Sequence, residues 1–310
     1  LSSEEAFQLY GSSYLPGFCQ FETGTKCNTS CIMCAHRKMK PRPDAKWSTL
    51  TRIIDTVIPT ATSCCPFLMQ EPLTEPRLLK ILNNIKVVNP QCSITVYTNM
   101  ALMNHNYTKA IIDQQRLDKL AISFYGPTEK IYNKVQPGLD WEQTKQNIRG
   151  FIKYRDEKGY TKPSVEMHYI VMPLLAENAE TFFNEWRGVV DAIYYVHYDN
   201  FHGDMPSLPD ELQRKYWGEP NPERLPCSRL WKSFNVLSNG DVVPCCIDYD
   251  NTIPLSNIME DEPHDIWRGA KMEKLRQMHI ERRFDEIPLC RDCTVWRYEE
   301  HPEWINLWSS

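Results

Sequence analysis

The stretch TGTKCNTSCIMCAHRKMK, residues 23–40, places Cys27, Cys31 and Cys34 within eight positions. A disulfide uses two cysteines, and a closed structural zinc site uses four ligands. Three soft thiolates in one loop suit an iron–sulfur cluster in which one iron has no protein ligand. The competing readings are an incomplete zinc site and a fourth ligand from His36. The residues just before, GFCQFE (17–22), read as a strand, so the loop leaves that strand's C-terminal end.

Outward from the loop, short apolar runs alternate with helical patterns as far as residue 200. Strands are expected in CCPFLMQ (64–70), CSITVYTN (92–99), LDKLAISFYG (117–126), SVEMHYIVM (164–172) and DAIYYVHYD (191–199). Between them lie helical patterns at 48–61, opened by Ser48 or Thr49, and at 75–88, 105–115, 140–159 and 177–189. Six strands interleaved with helices require parallel pairing through right-handed crossovers. No glycine-rich phosphate loop follows the first strand, which argues against a dinucleotide fold. The expected class is α/β, a partial (β/α)6 TIM-like barrel over 17–200, with its chemistry on the loops after the strands. Residues 1–16 form an N-terminal segment, and the proline-rich, polar 201–225 reads as a linker. In SFNVLSNGDVVPCC (233–246) two short strands flank an Asn-Gly turn. A helix is expected over 263–279, followed by PLCRDC (288–293) and a tail from 297 to 310.

Composition bounds the function. The chain has 310 residues, 42% of them hydrophobic, enough for a large core without staples. A net charge of -5 argues against a nucleic-acid surface, and the basic run HRKMKPR (36–42) reads as a solvated loop. No apolar run reaches the roughly eighteen residues of a membrane span, and nothing at the head of the sequence reads as a signal peptide, so a cytoplasmic protein is expected. Twelve cysteines in such a chain point to metal rather than disulfides. Cys19, Cys64, Cys65 and Cys92 sit in apolar runs and read as small buried hydrophobes. The others form the loop set and a second set: Cys227, Gly240 thirteen residues on, Cys245, then Cys290 and Cys293.

With these motifs the sequence resembles the radical S-adenosylmethionine (SAM) superfamily, in its SPASM/twitch branch. The resemblance implies a 4Fe–4S cluster on Cys27, Cys31 and Cys34, whose open iron is chelated by SAM. One electron then cleaves the cofactor to a 5′-deoxyadenosyl radical that abstracts hydrogen from substrate. FLMQEPL, YTNMAL and AISFYG stand at the family's cofactor segments, which implies that Glu71, Asn99 and Ser123 bind SAM. Met69-Gln70 replaces the family's paired glycines, Met33 replaces an aromatic, and Gln136 stands where many relatives have arginine. The second set resembles the shorter twitch form, implying one auxiliary 4Fe–4S cluster on Cys227, Cys245, Cys290 and Cys293. The glycine spacing selects Cys245 over adjacent Cys246; a structural zinc is the competing reading.

Strand alternation points polar side chains into the barrel. That rule selects Gln20, Glu22, Glu166, His168, His197 and Asp199, with His202 at the mouth. Glu22, His168 and His197 are the candidate catalytic residues. Gln20, Glu166, Asp199 and His202 are the substrate-lining ones. Trp296, Trp304 and Trp308 read as packing residues. The expected function is hydrogen abstraction from a small polar metabolite, a sugar, aminocyclitol or nucleoside. Twitch relatives of similar ligand spacing oxidise an aminocyclitol alcohol, and others run redox-neutral decarboxylations, dehydrations or epimerisations. A reductant such as flavodoxin or ferredoxin is the expected partner. Peptide crosslinking is the second reading, weakened because only 26 residues precede Cys27 here. A non-catalytic iron–sulfur electron carrier or binding module is the third.

Overall fold

The computed structural model describes residues 14–298 and the strand at 304–306. Residues 1–13, the side chain of Trp304, and Trp308 lie outside the described residues. Six parallel strands run side by side in chain order: β1 (Phe18–Phe21), β2 (Ser63–Cys65), β3 (Ser93–Thr98), β4 (Lys119–Ile122), β5 (Ser164–Ile170) and β6 (Ala192–Val196). Amphipathic helices cross between them, including Trp47–Thr56, Leu78–Val88, His105–Gln114, Trp141–Glu157 and Ala179–Trp186. Their apolar faces supply the core: Ile53, Ile81, Ile112, Ile148, Phe151 and Trp186 are fully or almost fully buried. Each such side chain contributes about 1.5–3 kcal/mol of gross hydrophobic stabilisation. The sheet is the expected partial barrel, open because the first and sixth parallel strands do not pair with each other among the described residues.

Both edges of this sheet are extended. β7 (Ser233–Val236) pairs parallel to β1, and β8 (Asp241–Val243) and β9 (Ser256–Asn257) follow antiparallel. The turn between β7 and β8 needs glycine at 240: its φ is +92° and a Cβ would sit 2.8 Å from the Asn257 side-chain oxygen. At the other edge β10 (Trp304–Asn306) pairs antiparallel with β6, within the stretch expected as a tail. The C-terminal hairpin therefore lies directly against β1, the strand that launches the three-cysteine loop.

Local differences from the sequence reading have local causes. β2 ends at Cys65 because Pro66 has no N–H to give the ladder. The first crossover helix is preceded by Lys46, so neither Ser48 nor Thr49 caps it. A short helix, Glu129–Val135, is present where none was read, capped by the Thr128 hydroxyl on the Ile131 N–H. The stretch read as a linker carries the helix Asp210–Trp217. The single helix expected over 263–279 is two, Pro263–Trp267 and Ala270–Ile280. Their junction needs Gly269, where a Cβ would stand 2.7 Å from the Asp265 carbonyl oxygen.

Candidate functional site: two cysteine cavities

The loop after β1 is tied down by the segments that follow β2, β3 and β4. The Glu71 N–H donates to the Lys26 carbonyl at 2.9 Å, and the Ile32 N–H to the Val135 carbonyl at 3.0 Å. The Asn99 side-chain amide donates to the Asn28 side chain at 2.7 Å, and the Thr29 hydroxyl to the Pro137 carbonyl at 2.9 Å. Held this way, Cys27, Cys31 and Cys34 line one cavity of about 320 Å³ at the C-terminal ends of the strands. Burial pushes the Cys27 thiol up to about 11 and Cys31 up to about 12, and it raises Cys34 as well. His36 is not a fourth ligand: its Nε2 bonds the Thr25 carbonyl at 2.7 Å and its side chain is not in the cavity wall. Among the described residues no three His, Cys, Asp or Glu side chains converge on a single-ion site. Cysteines of a cubane each bind a different iron and surround it, so three thiols along one wall fit a cluster with an open iron.

The same cavity contains Glu71, Asn99, Ser123, Gln20, His197 and Asp199. Glu71 is fixed by its own chain: its carboxylate accepts from the Thr98 hydroxyl at 2.6 Å, the Asn99 N–H at 2.9 Å and the Leu73 N–H at 3.1 Å. Burial nonetheless raises it above the ordinary carboxylate range. Gln136, fully buried, donates to the Ser123 carbonyl and accepts from the Tyr125 N–H, both at 2.9 Å. Its amide clamps the end of β4, and the residue also lines the cavity.

A second cavity, about 40 Å³ and apolar, is lined by Cys227, Cys245, Cys290 and Cys293. Burial pushes Cys290 up to about 12 and Cys293 up to about 11, while a hydrogen bond donated by the Cys245 thiol to the Cys246 sulfur and burial both raise Cys245. His279, 1% exposed, bridges two of the four: its Nδ1 accepts from the Cys227 N–H at 3.2 Å, and its Nε2 lies 3.3 Å from the Cys290 sulfur. The first contact leaves the proton on Nε2, aimed at sulfur. Cys246 does not line this cavity; it lines the first one. None of the twelve cysteines is in a disulfide.

Comparison with known proteins decides the family. Residues 21–175 match the model of the radical SAM superfamily, and 227–294 match an iron–sulfur cluster-binding domain, SPASM. The chain belongs to the radical SAM superfamily. Its fold is similar to BtrN in complex with AdoMet and 2-DOIA, at TM-score 0.62 and 16% identity, over 94% of this chain and 99% of that one. It is also similar to SuiB of Streptococcus suis bound to the precursor peptide SuiA, at TM-score 0.67 and 13% identity, over 84% and 66%. A third similar structure is anSMEcpe with AdoMet and the Cp18Cys peptide, at TM-score 0.63 and 15% identity, over 93% and 92%. No curated protein sequence matches the chain. As a radical SAM enzyme with a SPASM domain it uses S-adenosylmethionine and two iron–sulfur clusters, a substrate and a reductant. No described helix is long and apolar enough to cross a membrane.

Not every residue selected by strand alternation reaches the radical SAM cavity. Glu22 lies just past the end of β1 and is fully buried. Both its oxygens accept from Arg42, at 2.9 to 3.1 Å, and one also from the Ser238 N–H at 3.1 Å. Burial raises it despite that guanidinium. Arg42 also donates to the Tyr249 carbonyl at 2.6 Å, so this pair ties the loop after β1 to the SPASM region and is structural. Glu166 lies near the N-terminal start of β5, in a surface groove with Lys119 at 3.3 Å. Burial works to raise it, but His168 and Lys119 outweigh that and hold it low. His168 is one step further in, under Tyr97, whose ring it meets edge-on at 5.3 Å; burial lowers it below the ordinary imidazole value although Glu166 works against that. His202 stacks on Tyr249 at 5.5 Å and lines a separate depression with Asp204. The radical SAM cavity also holds residues the sequence reading did not select, chiefly Phe67, Tyr97, Tyr125 and Cys246. Phe67 and Tyr97 could have been found from their places at the ends of β2 and β3.

Proposed function

We propose that this radical SAM enzyme removes a hydrogen atom from a small polar metabolite of the sugar, aminocyclitol or nucleoside kind. The observation that carries this reading is one shared lining: the three loop cysteines and the polar side chains of Gln20, His197 and Asp199 belong to a single cavity. In this reading Cys27, Cys31 and Cys34 ligate three irons of a 4Fe–4S cluster and leave the fourth to the cofactor. Cluster and SAM together supply a 5′-deoxyadenosyl radical, and the protein orients and shields it. Glu71, immobilised by Thr98 and Asn99, accepts from the cofactor's ammonium group, and Asn99 and Ser123 take its remaining polar groups. Gln20 and Asp199 hold the substrate's hydroxyl or amino groups, and His197 orients the reacting carbon's substituent. Of the three residues first read as catalytic, His197 alone is retained. Phe67, Tyr97 and Tyr125 keep water from the reacting atoms.

None of the described residues lining this cavity is Lys or Arg. A phosphate or free carboxylate on the substrate would be desolvated there without a counter-ion, which supports a neutral or amine-bearing compound. Cys227, Cys245, Cys290 and Cys293 ligate the auxiliary cluster, closed in an apolar cavity and suited to storing an electron. The external reductant is a one-electron carrier of the flavodoxin or ferredoxin class. Peptide modification is the second reading, because peptide-bound SuiB and anSMEcpe have a similar fold.

Anaerobic reconstitution with reductant and SAM tests the proposal. About eight irons per chain and release of 5′-deoxyadenosine are expected, with release stimulated saturably by an aminocyclitol or nucleoside. Zinc or about four irons, and no cleavage, would sink it. Saturable stimulation by a precursor peptide alone would transfer the site to the second reading.

A further inference from the structure

The two cavities have opposite electrostatic character. The larger is lined by Glu71 and Asp199, and by no Lys or Arg among the described residues. The smaller is lined by Arg224 and Arg229, and by no Asp or Glu among the described residues. Arg229 donates to the Cys246 sulfur at 3.1 Å, and that cysteine lines the other cavity. Arg224 belongs to the four-cysteine site itself: its guanidinium donates to the Cys290 carbonyl at 2.8 Å. Two rings grip it, with centroids at 4.4 Å for Phe284 and 5.6 Å for Trp296. Aromatic faces suit a planar, weakly hydrated guanidinium and hold its charge in one place. Burial dominates the upward shift of the Cys290 and Cys293 thiols, and the Arg224 charge works against it at both sulfurs. The charges that oppose Arg224 there, Asp248 at Cys290 and Asp199 at Cys293, come from residues outside the lining.

We propose that Arg224 is a positioning residue for the auxiliary cluster: it holds Cys290 in place, and its fixed positive charge raises the cluster's potential. This rests on the reading of Cys227, Cys245, Cys290 and Cys293 as that cluster's ligands. A cluster on four thiolates becomes more negative when it takes an electron. A cation fixed beside it therefore stabilises the reduced form more than the oxidised one. Salt and water screen such a pair far less in an apolar cavity than at an open surface. The His279 N–H aimed at the Cys290 sulfur acts in the same direction, since a hydrogen bond to sulfur also favours the reduced cluster. With carboxylates on one side of the partition and guanidinium groups on the other, the field favours an electron on the auxiliary side. Arg224 comes from the stretch 201–225, whose composition alone reads as a linker.

A redox titration of the cluster-loaded protein, followed by electron paramagnetic resonance, tests this without a known substrate. Arg224→Gln keeps a donor for the Cys290 carbonyl and removes the charge. In that variant the reduced-to-oxidised ratio of the auxiliary cluster at a fixed potential falls about tenfold, a midpoint lower by about 59 mV for a one-electron couple. Arg224→Lys keeps the charge without the planar fork, and its ratio stays within about threefold of wild type. The loop cluster's midpoint moves in neither variant. A wild-type midpoint in Arg224→Gln, or equal falls in the two variants, overturns the role of the charge. Where Arg224→Gln fails to hold the auxiliary iron, Arg224→Lys decides. Full iron there with a wild-type midpoint upholds the role, and any other result reduces Arg224 to a structural clamp and overturns it. Reconstitution of wild-type protein with only about four irons would instead overturn the two-cluster reading itself, before any variant is compared.

Discussion

The two cysteine cavities meet at Ile247, which lines both, and differ in almost every property that matters to a metal. One is about 320 Å³, has three cysteines, and mixes polar side chains with aromatic ones. The other is about 40 Å³, has four cysteines, and is apolar apart from the groups that hold the sulfurs. A cluster with a free iron needs room and polar partners for what binds that iron. A cluster with four ligands needs neither, and low polarity with few hydrogen bonds tunes its potential instead. The contrast separates a place where chemistry happens from a place where an electron waits.

Breaking the open side has the largest expected effect. Replacing Cys27, Cys31 and Cys34 together with Ala removes SAM cleavage by about a thousandfold or more, read as 5′-deoxyadenosine by chromatography, while iron falls by roughly half. Residual cleavage near wild type would erase the difference between the cavities. Breaking the closed side comes next. Cys290→Ala with Cys293→Ala loses the auxiliary cluster's iron and impairs product formation, yet spares part of the cleavage. Loss of cleavage as complete as in the loop variant would mean the second cavity is not a separate electron site.

Smaller changes sharpen the comparison. Glu71→Gln keeps the shape but turns an acceptor into a donor facing the Thr98 and Asn99 hydrogen bonds and the cofactor's ammonium. It is expected to weaken SAM binding by roughly ten- to a hundredfold, measured by calorimetry on loaded protein; unchanged affinity would remove Glu71 from the cofactor site. His279→Phe deletes the N–H aimed at the Cys290 sulfur, so the auxiliary cluster's midpoint potential should fall by tens of millivolts, ~30 mV or more, with the loop cluster unmoved. The smallest effect is on stability. Burial lowers His279 to about 4, below its ordinary 6.5. Its neutral form therefore stabilises the fold above pH 6.5, and that contribution is lost as pH falls from 6.5 toward 4. A thermal-melt series should show that slope in wild type and a shallower one in His279→Phe.

The parallel sheet and the division of cysteines between two cavities were legible in the sequence, because these rest on local signals. Strand–helix alternation, ligand spacing and the glycine at the β7–β8 turn are all visible within a few residues. The alternation rule was weaker at assigning depth. Gln20, His197 and Asp199 reach the cavity because they lie near the C-terminal ends of their strands. Glu166 and His168 share the inward side of β5 but sit lower, where Lys119 and Tyr97 claim them. Glu22 illustrates a different limit, since its partners Arg42 and Ser238 come from 20 and 216 residues away in sequence. That Cys246 lines the larger cavity was not legible, because its neighbours there come from the loops after other strands. His279 was hidden inside a helix read as continuous, although Gly269 ten residues earlier marks its break.

The most direct test of the contrast between the cavities is electron paramagnetic resonance of the reduced, two-cluster protein with and without SAM. SAM should perturb the signal of one cluster only. That perturbation should persist in Cys290→Ala/Cys293→Ala and vanish in Cys27→Ala/Cys31→Ala/Cys34→Ala. A SAM-sensitive signal that survives loss of the loop cysteines, or one that disappears with Cys290 and Cys293, would contradict it.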